Sequence, residues 1–357
     1  MRDGGGRGPP AERESGTTGE NSRWTTGENG RWGTDDGTTD DEETRESKES
    51  RPTAVVASGR PLLVLRVSHG TTLALAFVLV VVELALVGAA IAARPVLGVL
   101  SLLSVGPALA LAGYIWLSDP EREPLRTLVT TFVLGVLFAT FAGVVNTLGL
   151  LFLFGSGANA LALVPFFFLV VAPVEEFVKW LAVRFHAYRT RWFGSTLDGA
   201  VYGAMAGLGF ATLENLSYVV GSVQVAGPPD ALVTVSGVAV TRAIVGPNHV
   251  LWAAISGYYL GLADVVPANR GRVVVKGIVV AALLHGFYNS TVGPVTELLA
   301  GTTGVDAVVW LVVYVLAYAS VVGAYLLRKL RHAREAYEEE RRNGGVSSTL
   351  EWSEGAE

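Results

Sequence analysis

Ala-Leu-Ala-Leu-Val-Pro-Phe-Phe-Phe-Leu-Val-Val-Ala-Pro-Val-Glu-Glu-Phe-Val-Lys-Trp-Leu-Ala-Val, residues 160–183, carries the decision about this chain. At 1.5 Å per residue a helix of that length crosses a hydrocarbon core about 30 Å thick. Yet Glu175, Glu176 and Lys179 lie within it. An ionisable side chain at membrane depth costs about 2.5–3.5 kcal/mol even on the lenient insertion scale. The run therefore reads as a membrane helix whose charges are held by protein for a purpose.

Working outward, similar apolar runs occupy roughly 71–92, 96–117, 127–154, 196–221, 232–262, 273–294 and 305–327. With 160–183 they predict an all-α, polytopic helical membrane protein of about eight transmembrane helices, filling 61–330. A soluble globular enzyme is excluded. The run 232–262 exceeds one straight crossing and contains Gly246-Pro247, so a single long or broken helix is expected there. Basic residues cluster after the fourth run (Arg184, Arg189, Arg191), after the sixth (Arg270, Arg272, Lys276) and after the eighth (Arg328, Lys329, Arg331, Arg334). Cytoplasmic loops carry the Lys/Arg excess, which predicts a multi-pass protein of the cell membrane with both termini cytoplasmic.

The flanks differ from this body. Residues 1–60 are polar and acidic, and such a segment buries too little surface to offset its ordering entropy, so a disordered tail is expected. It repeats Thr-Thr-Gly-Glu-Asn-x-Arg-Trp at 17–24 and 25–32, which reads as local duplication. No cleavable signal peptide is expected at the start, since the first apolar run follows about sixty polar residues. Residues 331–357 form a second charged tail. The net charge of −5 resides in the first 51 residues, which hold 8 Lys+Arg against 13 Asp+Glu; this gives no case for nucleic acid. With no cysteine, disulfides, thiolate zinc sites and a Cys nucleophile are all excluded.

The ionisable residues within the runs are Glu83, Glu175, Glu176, Lys179, Asp198, Glu214, Arg242, His249 and His285. Lys179 stands at i+4 from Glu175 and i+3 from Glu176, so one glutamate pairs with it while the other faces a polar site. Gly199, Gly203 and Gly207 recur every four residues and make a smooth face for close helix approach. Glu214-Asn215 follows on the same run. His249 lies just after Gly-Pro-Asn, and His285 and Asn289 are one turn apart on the seventh run. Imidazoles ligate metals and move protons, and carboxylates in a low dielectric serve as acids or bases. Counting 1.5 Å per residue from the basic ends puts Glu175 and Glu176 about 12–14 Å deep, His285 about 18 Å and His249 about 22 Å. Glu214 comes out at about 27 Å if its helix starts at Thr196, too far across: either that helix starts deeper, its Gly-rich half is re-entrant or tilted, or Glu214 is not in the cluster.

Glu175-Glu176-x-x-Lys179, Phe210-x-x-x-Glu214-Asn215, His249 with Gly257 eight positions on, and His285-x-x-x-Asn289, each on its own apolar run, resemble the PrsW family of intramembrane proteases. That family is distantly similar to the type II CAAX prenyl endopeptidases. Asp119-Pro120-Glu121-Arg122-Glu123-Pro124 resembles it too, and the likeness covers about 115–300. The resemblance implies an intramembrane peptidase, a metalloprotease acting on membrane-anchored proteins such as an anti-sigma factor. Carried over, Glu175 or Glu176 activates water, with Lys179 beside them. His249 and His285 bind a divalent metal, zinc being the first identity to test, or polarise the scissile carbonyl; Glu214 is a third ligand or a second acid/base group, and Asn289 helps hold the oxyanion. No His-Glu-x-x-His helix is present, so a glutamate–histidine pair activating water without metal explains the same residues. A proton-coupled transporter is the rival reading of the same buried Glu/His cluster.

Overall fold

The computed structural model describes residues 69–155, 157, 159–225 and 231–342. The N-terminal tail with its repeated octapeptide, and residues 343–357, lie outside them. The described residues are helical and contain no strand. Helices α1 (His69–Ala93), α2 (Pro95–Ser118) and α3 (Leu125–Phe154) match the first three apolar runs. The fourth run is composite: α4 (Ala160–Phe166), a π turn at Phe167–Val171, then α5 (Ala172–Phe185). Helix α6 (Thr196–Val225) is the fifth. The sixth divides, as its Gly-Pro predicts, into α7 (Ala231–Val245) and α8 (Pro247–Val265). Helices α9 (Arg270–Thr303) and α10 (Ala307–Arg342) complete the bundle.

Six stretches among the described residues are long and apolar enough to cross a membrane: α2, α3, α4 through α5, α7 through α8, α9 and α10. Their outward faces carry exposed Leu102, Leu103, Phe152, Leu161, Leu169 and Val321, and many more like them. Facing water, apolar surface on this scale would drive association. Facing lipid it is the ordinary exterior, and the chain is a polytopic helical membrane protein.

Helix α6, richer in small and polar residues, is the axis, packed against α8, α3 and α2. Its glycine face does what its spacing predicts. A Cβ at Gly199, Gly203 or Gly207 would run into backbone carbonyls of Gly257, Ala253 and His249 respectively, and a Cβ at Gly257 into that of Gly199. As positions rise along α6 they fall along α8, so the two helices run antiparallel at backbone contact. Gly135 of α3 and Gly209 of α6 permit the same closeness on another side.

The three basic segments gather at one end of the bundle. Tyr188 donates to Asp264 at 3.0 Å, Arg270 pairs with Asp264, and Lys276 and Lys329 both lie about 6 Å from the Tyr259 ring. One boundary departs from expectation. Apolar patterning stops near residue 327, but α10 stays helical to Arg342. Past the apolar run the helix is charged, and Arg334 pairs with Glu338 one turn on at 2.8 Å.

Candidate active site

The buried charges of four helices meet at one place. Helix α5 brings Glu175, Glu176 and Lys179, α6 brings Glu214, α8 brings His249 and α9 brings His285. The approach to α5 is set by its local sequence. Pro173 has no N–H to donate, and the preceding turn closes through Ala172 N–H to the Phe167 carbonyl, five residues back. This extra residue per turn re-aims the glutamate pair relative to α4.

Lys179 is fully buried. Its Nζ lies 2.6 Å from Glu176 Oε1, 2.9 Å from His249 Nδ1 and 3.8 Å from Glu175 Oε2. Lys179 thus hydrogen-bonds Glu176 while keeping Glu175 in ion-pair range. Glu176 Oε1 also accepts from His285 Nδ1 at 2.9 Å. Glu175 is held by Asn146 of α3, whose Nδ2 donates to Oε1 at 2.9 Å, while Oε2 is buried with no hydrogen-bond partner. That free oxygen lies 3.8 Å from His285 Nε2 and 4.0 Å from His249 Nδ1.

Glu214 does reach the cluster. Its Oε2 sits 2.7 Å from His249 Nε2 and 2.5 Å from Arg242 Nη2 of α7. The depth count had set it apart because it counted Cα atoms only. Side chains lean toward the N-terminus of their own helix, and in antiparallel α6 and α8 those leans point at each other. Arg242 is fixed in turn: its Nε donates to Asn215 Oδ1 at 2.8 Å, and Asn215 Nδ2 donates to the Ser104 carbonyl at 3.0 Å. Aromatic rings close the sides. Trp252 stacks on His285 with centroids 4.1 Å apart, and Phe210 stacks on His249 at 5.3 Å. Glu214, with 23% of its side chain exposed, is the open edge; Glu175, Glu176, Lys179 and both histidines are almost wholly enclosed.

This geometry has known counterparts in sequence. The family model described as PrsW family intramembrane metalloprotease matches residues 123–324, more than half of the chain and every residue of the cluster. The chain belongs to the PrsW protease family. It is 32% identical over 195 residues to Protease PrsW of Oceanobacillus iheyensis, covering 53% of this chain and 82% of that one. Protease PrsW of Geobacillus kaustophilus is 32% identical over 192 residues (53% and 78%), and that of Bacillus subtilis 32% over 197 residues (52% and 78%). No solved structure matches. The protein is accordingly a membrane protease.

PrsW membership raises the question of a metal, which the donor chemistry answers favourably. Glu175, His249 and His285 each offer a ligand atom, all within 4.8 Å of one another. Two histidines and a glutamate are a catalytic zinc donor set, for which bond lengths of about 2.0–2.1 Å imply donor separations of about 3.3–3.4 Å. Closing the present 3.8 and 4.0 Å gaps takes about half an ångström. Both imidazoles are also backed by carboxylates, Glu176 on His285 and Glu214 on His249, leaving the opposite nitrogen as the electron-pair donor. One adjustment is required: the Lys179 ammonium now donates to His249 Nδ1 and would have to turn aside.

Of the other residues read from the sequence, Asn289 lies one turn from His285, half-buried, and bonds to none of these groups among the described residues. Glu83 accepts from Ser217 of α6 at 3.3 Å, outside the cluster. Asn146 has no ionisable neighbour in its apolar run, unlike Asn215 beside Glu214 and Asn289 one turn from His285; a lone amide in that run is its signal in the sequence. Asn248, beside His249, is fully buried with both amide atoms unpaired.

Proposed function

We propose that this chain hydrolyses peptide bonds of membrane-anchored proteins within the bilayer, with Glu175, His249 and His285 at the reacting centre. The observation that carries the reading is Glu175 Oε2, buried without a hydrogen bond, 3.8 Å from Lys179 Nζ, and facing two histidines whose far nitrogens are each held by a carboxylate. A water between Glu175 Oε2 and His285 Nε2, 3.8 Å apart, can donate one hydrogen to each, His249 Nδ1 being taken by Lys179. Glu175 then takes the water proton at Oε2, and Asn146 keeps that oxygen aimed by holding its twin. Glu176 fixes the tautomer of His285, Lys179 balances the two glutamates, and Glu214 with Arg242 sets His249. On this partition Glu175, and not Glu214, is the third donor beside the histidines. Asn289, on the same face of α9, supplies the oxyanion donor once substrate is bound.

A divalent metal, zinc first, would be held by Glu175, His249 and His285, and Glu175 Oε2 would then be a ligand in place of the base. When bound it would polarise the scissile carbonyl and acidify its water. Lys179 within hydrogen-bonding distance of His249 favours the metal-free form, and the donor set favours the metal. Membrane-anchored regulatory proteins of the anti-sigma kind are the proposed substrates. The cell membrane is the proposed location and the basic end the cytoplasmic one, with a catalytic core over about 115–300.

The test uses detergent-purified protein beside Glu175→Gln, Glu176→Gln and His285→Ala. Each is incubated with a panel of single-span membrane proteins, and cleavage is read by mass spectrometry with and without a chelator. Cleavage by the wild type, abolished in folded Glu175→Gln and His285→Ala, is expected; chelator sensitivity assigns the metal. Cleavage that survives Glu175→Gln would overturn the assignment.

A further inference from the structure

A second group of carboxylates meets where the α2–α3 connection packs against the start of α6. Asp119 follows the last turn of α2, Glu123 immediately precedes the N-cap of α3, and Asp198 lies in the first turn of α6. One oxygen from each lies within 4.8 Å of the other two. None of the three enters an ion pair among the described residues.

Helix capping explains part of this arrangement. Asp198 Oδ2 accepts from the Gly194 and Ser195 amides, both at 2.8 Å, while Ser195 Oγ accepts from the Asp198 amide at 3.0 Å. Asp119 Oδ1 accepts from the Glu121 amide at 3.0 Å. Capping leaves the remainder unexplained. Asp119 and Glu123 are each 5% exposed, and Asp119 Oδ2 and both Glu123 oxygens are buried without any partner. Tyr202 adds a further sign: one turn along α6 from Asp198 and wholly buried, its hydroxyl stands beside the Thr127 side chain in the field of all three carboxylates, without a well-formed hydrogen bond. Buried acceptors are ordinarily satisfied, so orphans converging on one spot call for a ligand.

We propose that Asp119, Glu123 and Asp198 bind a hard divalent cation, Mg²⁺ or Ca²⁺, which ties the α2–α3 connection to the start of α6. All-oxygen, carboxylate-rich donors select such ions over zinc, which favours nitrogen and sulfur. This site is separate from the Glu/His cluster: Asp198 and Glu214 stand about 24 Å apart along α6.

The experiment strips the full chain with EDTA in neutral-lipid nanodiscs, then adds MgCl₂ or CaCl₂ at pH 7.5 and follows melting by tryptophan fluorescence. The wild type is expected to gain about 2–4 °C, saturably, once the cation is several-fold above its Kd. His285→Ala, which disables the other cluster, keeps that gain. Glu123→Gln and Asp119→Asn lose it while melting no lower than the wild type in EDTA, because each relieves repulsion. No saturable gain in the wild type would overturn the proposal, as would a gain that persists in Glu123→Gln or vanishes in His285→Ala. An infrared band of a protonated carboxyl, removed by Glu123→Gln in a wild type that ignores both cations, would assign the carboxylates to a shared proton instead.

Discussion

Replacing Lys179 by methionine keeps the stem's bulk and removes the one lysine or arginine that, among the described residues, pairs with both glutamates of α5. Its Nζ lies 2.6 Å from Glu176 and 3.8 Å from Glu175, with Lys179 and Glu176 both wholly enclosed. Breaking a buried pair by deleting one partner costs about 3–5 kcal/mol, since the remaining charge is left without compensation. Glu176→Gln alone costs less, about 1–2 kcal/mol, because Lys179 still has Glu175 and the Gln amide still serves as an acceptor for His285. In the double variant no unpaired Glu176 charge remains, so its cost falls at least about 2 kcal/mol below the sum of the singles. The chain has no cysteine for thiol-reactive dyes but eight tryptophans, so SDS titration in mixed micelles followed by tryptophan fluorescence is the suitable assay. Additivity within about 0.5 kcal/mol, or a cost for Lys179→Met below about 1 kcal/mol, would refute the view that Lys179 neutralises the glutamate pair.

Gly257 of α8, seated against α6, and Gly221 of α6 should behave oppositely. Gly257→Val drives side-chain atoms into the backbone of α6 and should cost at least about 1–3 kcal/mol, whereas Gly221→Ala meets nothing within 4 Å and should be neutral or gain about 0.5–1 kcal/mol. The same SDS titration reads both. Asn146→Ala frees the held oxygen of Glu175; losing a hydrogen bond to a charged group, about 1.5–3 kcal/mol, should lower kcat roughly 10- to 100-fold with KM unchanged, measured on a cleaved substrate. Glu83→Gln, at a half-buried position with one 3.3 Å contact, should leave stability within about 0.5 kcal/mol.

The bundle was legible because lipid imposes a length and a polarity on every crossing, and hydropathy records both. Gly246-Pro247 announced the break between α7 and α8, and the four-residue glycine spacing announced a close neighbour for α6. Which neighbour it was did not show, since a smooth face fits any helix. The π turn before Glu175 was hidden as well: Pro165 and Pro173 signal a disturbed helix, but how the freed carbonyls re-pair depends on what packs around them. The end of α10 was not legible because apolar periodicity reports the membrane, whereas the helix continues on ion pairs beyond it.

The site shows the same limit at finer scale. Sequence spacing fixes where a side chain lies around its own helix axis, which is why Lys179 and its two glutamates were readable as one group. It says nothing about the axis of the next helix, and so could not choose which glutamate Lys179 would hold. That choice belongs to α9, whose His285 claims Glu176 Oε1 beside Lys179, and to α3, whose Asn146 draws Glu175 away. Nor could depth along one helix place Glu214 against His249. Their meeting depends on two facts from separate runs: α6 and α8 are antiparallel, and glycines bring their backbones into contact. The glycine seam, which bears no functional group, thereby fixes the distance at which a carboxylate of α6 can grip the imidazole of α8. A chain of this kind specifies its chemistry through its smallest residues as much as through its charged ones.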